Sequence, residues 1–212
     1  MGRIASFPMV SHIKRFAITG GIACGKSTVA AWLPQWGGLV LDADDVVHEI
    51  EGPGGEAVEP IRSAFGAEIV DARGAVDRVA LGRCVFADAA ARVHLNAIVH
   101  PIVWRRIEVW LSAPSPATCR FRAVLIPLLF EVGWDRVRWD AVIAVVCGEA
   151  EQVSRLMGRG LSEAEALLRI AAQLPCAEKA RRADYALWNT GSIEALRRAA
   201  ESLFERLVEN TL

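Results

Sequence analysis

The chain has 212 residues, enough for one domain with insertions at about 150 residues per domain, and long enough to bury a core without disulfides or metals. AVILMFWYC make up 53% and DEKR 23%, which excludes bulk disorder, and a net charge of −1 speaks against a general nucleic-acid or anionic-membrane binder. The longest apolar runs, 123–130 and 141–147, fall far short of the ~20 residues of a bilayer span, so no membrane partner is expected.

In chain order, residues 1–13 read as a loose tail with no apolar core of a secretion signal. Phe16–Thr19 is a short apolar run ending in glycines and predicts a buried strand. Ser27–Trp36 follows as a helix, and Leu39–Leu41 as a second strand stopping at Asp42. From Asp44 to Leu111 the pattern is mainly helical. A polar loop interrupts it near Asp71–Asp77, and a break is expected at His100-Pro101, because proline disfavours helix in the residue before it. Phe121–Ile126 and Ala141–Val146 are apolar runs suited to strands buried on both faces. Glu149–Gly158, Ser162–Gln173 and Cys176–Arg182 read as helices, Tyr185–Trp188 as a short strand and Ser192–Glu209 as a closing helix. Strands alternating with helices predict an α/β fold with a parallel sheet. The interval between strands two and three is too long for one crossover, which implies a helical insertion. Five cysteines with no CxxC pair predict a reduced, cytoplasmic protein without a zinc site.

Gly20-Gly21-Ile22-Ala23-Cys24-Gly25-Lys26-Ser27 matches GxxxxGK[ST], placed after a strand and opening a helix. Glycines let successive backbone N–H groups face one anion, and the helix N-terminus adds partial positive charge. Lys26 can reach β- and γ-phosphates, and the Ser27 hydroxyl can ligate Mg²⁺. The motif predicts nucleoside triphosphate binding and leaves the reaction open. Asp42, Asp44 and Asp45 follow the second strand, and parallel strands bring their carboxyl ends to one crevice. If the chain stays extended, Asp42 and Asp44 point the same way. One would hold Mg²⁺ through water and the other accept a proton; the alternative is that Asp44 or Asp45 caps the next helix.

The segments ITGGIACGKSTVA, LDADDVVHEI, LNAIVHPIV, IPLLFE, RLMGRGLSEAEALLRIAAQ and ADYALWNTGS together resemble the dephospho-CoA kinase family, over about residues 16–205. The resemblance implies a P-loop NTPase-type three-layer fold with a parallel sheet, a helical insertion subdomain and a small helical lid. The nucleotide core would be 14–44, 120–148 and 184–212, the acceptor-binding insertion about 45–115 and the lid about 149–183. It implies ATP and Mg²⁺ as co-substrate and cofactor and the ribose 3′-hydroxyl of dephospho-CoA as acceptor. Gly20, Gly21, Ile22, Ala23, Cys24, Gly25, Lys26, Ser27 and Thr28 would hold the triphosphate. Asp44 becomes the base, with Asp42 its neighbour near the metal. His100 and Pro101 shape the acceptor pocket, or pack as core, and Leu128 serves as packing or apolar pocket wall. Glu131 acts near the site or caps the next segment. Arg155 and Arg159, four apart on one helix face, would close on the phosphates, with Arg169 and Gln173 continuing the lid; a solvated basic stripe is the alternative. Asn189 would sit beside the adenine, or cap a turn. Arg159 directly before Gly160, Trp188 before Asn189, and Leu125 depart from the family's usual residues.

Two other functions compete. One is a small P-loop kinase acting on a nucleoside monophosphate or hydroxylated metabolite. The other is a nucleotide-binding regulator without catalysis.

Overall fold

A computed structural model describes residues 13–137 and 139–209. The expected tail falls almost wholly outside the described residues. Five parallel strands form one sheet: β1 (Lys14–Gly20), β2 (Gly38–Asp42), β3 (Phe121–Leu125), β4 (Ala141–Val146) and β5 (Tyr185–Trp188), in the order β2-β3-β1-β4-β5. β1 lies at the centre, with Phe16 opposite Ala123 on one side and Ala141 on the other.

Side chains of a strand alternate between faces, and the two cores follow that period. Phe16 and Ile18 point to a core completed by Val29 and Leu33 and by Leu196, Ala200, Leu203 and Phe204. Those residues come from α1 (Lys26–Trp32), the 3₁₀ turn after it, and α9 (Ile193–Glu209). Ala17, Val124 and Val142 point to the opposite core. There they meet α2 (Ala43–Glu51), α3 (Val58–Phe65), α4 (Arg78–Ala87) and α5 (Ala89–Ser112). The result is the expected three-layer α/β fold, and the helices between β2 and β3 share their core with one sheet face. α6 (Glu149–Met157), α7 (Glu163–Ala171) and α8 (Cys176–Arg182) fill the interval between β4 and β5.

Three local expectations need correction. The helix expected over Ser27–Trp36 ends at Trp32 and tightens into a 3₁₀ turn over Leu33–Trp36. Pro34 has no N–H with which to continue the helical ladder. The break expected at His100-Pro101 does not occur, and α5 runs through Pro101. Val99, Val103, Ile107 and Leu111 recur every fourth residue and are all buried, so packing carries the helix past the missing bond. Finally, Asp42 and Asp44 do not lie on an extended segment. α2 starts at Ala43, and its cap is Asp42, whose Oδ1 accepts the Asp44 N–H at 3.0 Å, rather than Asp44 or Asp45.

Candidate active site

The loop between β1 and α1 runs from Gly21 to Gly25. Gly25 has φ 101°, a left-handed conformation that glycine adopts at no steric cost, and Ala23 also takes positive φ, at 59°. Lys26 Nζ donates to the carbonyls of Gly20 (3.1 Å) and Gly21 (2.8 Å). Burial lowers the pKa of this lysine, with Lys179 adding repulsion and Asp44 opposing it.

Braces from distant parts of the chain hold the loop. Gln152 of α6 donates Nε2 to the Ile22 carbonyl (2.8 Å), and the Ile22 N–H is taken by Gln173 Oε1 (3.0 Å). Arg155 donates Nη1 to the Ala23 carbonyl (3.1 Å) and Nη2 to the Asn189 carbonyl (2.9 Å). Asn189 is buried and donates Nδ2 to the Cys24 carbonyl (2.9 Å). The donors expected to face the nucleotide at Arg155 and Asn189 are thus turned onto loop carbonyls. A guanidinium or carboxamide serves a carbonyl as well as it serves a phosphate or a base.

A cavity of about 290 Å³ opens on the loop. Its walls include Lys26, Ser27 and Thr28 from one side, Asp42 and Asp44 from another, and Pro127, Arg159 and Gln173. Sequence spacing alone brought these carboxylates to the phosphate loop, and the structure joins them there. Burial raises the pKa of Asp44 above the ordinary carboxylate range, with Lys26 opposing and Asp45 reinforcing the shift. Asp42 is also raised, by burial first, against the Asp44 N–H bond. Arg159 reaches the cavity, but not from the helix face it was expected to share with Arg155. α6 ends at Met157, and Arg159 lies in the turn before Gly160, at φ 92°.

The remaining candidates lie apart from this cavity's walls. His100 sits edge-on to Trp134, with ring centroids 5.6 Å apart, and burial lowers its pKa. Pro101 is on the exposed side of α5, and Leu128 is 41% exposed beside Pro127. Glu131 neither caps a helix nor lines the cavity. It pairs with Lys179 Nζ (2.8 Å) and accepts the Leu174 N–H (2.9 Å).

Lys179 is the residue that pattern reading missed. It is 0% exposed, and Nζ also donates to the Pro127 carbonyl at 2.7 Å. A signal was present: lysine occurs only at 14, 26 and 179 in an arginine-rich chain.

The chain is similar to known proteins over most of its length. The family model described as dephospho-CoA kinase matches residues 15–195. The dephospho-CoA kinase of Symbiobacterium thermophilum is 45% identical over 87% of this chain and 77% of its own length. That of Anaeromyxobacter dehalogenans is 45% identical over 90% of each chain. The solved dephospho-CoA kinase of Campylobacter jejuni is 27% identical with a TM-score of 0.68, covering 93% of this chain and 98% of that one.

Proposed function

We infer that this chain, which belongs to the dephospho-CoA kinase family, transfers the γ-phosphoryl group of ATP to the ribose 3′-hydroxyl of dephospho-CoA. The products are coenzyme A and ADP, and the step is the last in coenzyme A synthesis. The observation that carries the reading is the single cavity in which Lys26, Ser27 and Thr28 face Asp42 and Asp44.

In this reading residues 20–28 hold the triphosphate. Lys26 spends two of its three N–H donors on the Gly20 and Gly21 carbonyls and turns the third to the β- and γ-phosphates. The 3′-oxygen attacks the γ-phosphorus, the bond to the β–γ bridging oxygen breaks, and the hydroxyl proton passes to Asp44. Burial of Asp44 favours that proton transfer by making the carboxylate more basic. Arg159 stabilises charge on the transferring group from the cavity wall. The Ser27 hydroxyl and the Asp42 carboxylate are hard oxygen donors and fit Mg²⁺. Among the described residues no group of three or more His, Cys, Asp and Glu forms a metal cage, which suits an ion held largely by phosphates and water. When bound, Mg²⁺ neutralises charge on the phosphates.

The acceptor carries a long pantetheine arm, and we assign it to the helical segment 45–115, with His100, Pro101 and Leu128 as its contacts. Residues 149–183 act as the lid, with Arg155 and Asn189 supporting nucleotide binding through the loop. The five cysteines, all free, fit a cytoplasmic setting. Among the described residues no helix is long and apolar enough to cross a membrane.

The test is ADP release by the pure protein with MgATP and a panel of acceptors. Dephospho-CoA is expected to turn over fastest. Faster turnover of a nucleoside monophosphate, or ATP binding without any transfer, would overturn the reading.

A further inference from the structure

A second cavity, of about 620 Å³, flanks the phosphate loop, with Gly21, Cys147, Gln152, Cys176 and Trp188 among its walls. Three thiols converge here. Cys24 Sγ lies 3.4 Å from Cys176 Sγ and 3.3 Å from Cys147 Sγ. They come from the phosphate loop, the first residue of α8 and the residue after β4. Cys24 and Cys147 are buried, whereas Cys176 is only partly so and lines the open cavity. The phosphoryl-transfer chemistry above uses none of the three sulfurs.

We propose that Cys176 and Cys24 form a thiol-modification site for low-molecular-weight disulfides, closing into a Cys24–Cys176 disulfide that ties the phosphate loop to α8 and weakens nucleotide binding. The Cys176 thiolate attacks one sulfur of the small disulfide, forms a mixed disulfide and releases one small thiolate. The Cys24 thiol then passes its proton to that thiolate, and its sulfur attacks the Cys176 sulfur. The protein disulfide forms, the mixed disulfide breaks, and a second small thiolate leaves. Two protein sulfurs are oxidised and one small disulfide is reduced to a thiol and a thiolate.

The surroundings assign these roles. The Cys176 thiol is brought down to about 6, first by the hydrogen bond from Cys24, against burial, and then by N–H groups of Cys147 and Gly21 and the Lys179 charge. A thiolate at neutral pH in reach of solvent is the attacking group. Cys24 is shifted the other way, first by its bond to Cys176 and then by burial, which suits the resolving thiol. Cys147 is the poorer entry point: it is buried, and burial pushes its thiol up, although Arg155 Nη1, 3.5 Å from its sulfur, pulls the other way. Closing the bond draws the sulfurs from 3.4 Å to about 2.05 Å. Gly21 backbone lies directly against both sulfurs, with no room for a Cβ, so the contraction is felt in the loop that holds the phosphates. Only this consequence rests on the nucleotide-binding reading; the thiol chemistry does not.

The full-length chain carrying Cys84→Ser and Cys119→Ser is treated with glutathione disulfide, then examined by intact mass, unreduced peptide mapping and calorimetric titration with MgATP. The expected product is about 2 Da lighter, with no glutathione retained and the Cys24 and Cys176 peptides linked. The MgATP Kd is expected to rise at least about tenfold and to recover with dithiothreitol. Adding Cys24→Ser should trap glutathione on Cys176, and adding Cys176→Ser should make the Kd insensitive to the oxidant. A Cys24–Cys147 link, glutathione retained with Cys24 present, or an unchanged Kd after complete Cys24–Cys176 closure overturns the proposal. If the reduced protein binds no MgATP, the nucleotide reading fails, and the peptide map still decides the thiol chemistry.

Discussion

Asn189→Ala separates two roles for one residue, contact with the adenine or support of the phosphate loop. The main-chain bonds of Asn189, from its N–H to the Val146 carbonyl (2.7 Å) and from Arg155 to its carbonyl (2.9 Å), survive the change. What is lost is the carboxamide bond to the Cys24 carbonyl at 2.9 Å, a buried contact. Leaving a buried acceptor unpaired costs about 1–3 kcal/mol. If the loop relaxes to recover that cost, the same energy reappears as weaker phosphate binding, about five- to a hundredfold at 1.4 kcal/mol per tenfold. Because the bond goes to backbone and not to a base, MgATP, MgGTP and inorganic tripolyphosphate should weaken together. Calorimetric titration of the three ligands, with a urea midpoint for each protein, measures both parts. A loss confined to MgATP would show that Asn189 reads the adenine, and unchanged affinities and midpoint would show that the bond has no weight.

Asp44→Asn should lower turnover by on the order of 10²-fold, the scale of a general base, while MgATP affinity stays within about twofold. The base works only when deprotonated, and burial raises its pKa. Turnover should therefore fall on acidification through a value above the ordinary ~3.9, and a pH–rate profile of the Asn variant should lack that limb. Lys179→Met leaves Glu131 without its buried partner. Such losses reach about 3–5 kcal/mol, and with the Glu131 side chain partly exposed and still bonded to the Leu174 N–H we expect about 2–3 kcal/mol by urea unfolding. Adding Glu131→Gln should restore part of it; a single-variant loss under about 0.5 kcal/mol would refute the pairing. Pro101→Ala should stabilise the protein by about 1–2 kcal/mol in thermal unfolding, since a helical bond is regained at some cost in unfolded-chain entropy. Destabilisation would mean that the ring itself packs usefully.

The legible parts were those whose cause is local. Phe16–Thr19 runs apolar into Gly20-Gly21, and the GxxxxGK[ST] spacing marks the turn from that strand into the first helix. Asp42 and Asp44 were placed by a rule of parallel sheets that needs only the strand before them. A local rule failed where it met tertiary packing, as at Pro101, and no local rule fixes the partner of a donor that has two acceptable ones. Arg155 suits phosphate oxygens, but α6 delivers it to the Ala23 and Asn189 carbonyls. Asn189 meets a carbonyl 165 residues away. No spacing rule ranks such partners, because the choice depends on how elements dock.

Lys179 shows what a rare residue type can signal when packing limits the space. The chain uses arginine for nearly every cation, yet this fully enclosed site holds lysine. The oxygens around Nζ are the Pro127 carbonyl and the Glu131 carboxylate. An ammonium brings three donors to them, whereas a guanidinium would bring five in a rigid plane and leave several buried and unpaired. Each unpaired donor would cost about 1–3 kcal/mol, so hydrogen-bond satisfaction favours lysine over arginine here even though the charge is the same.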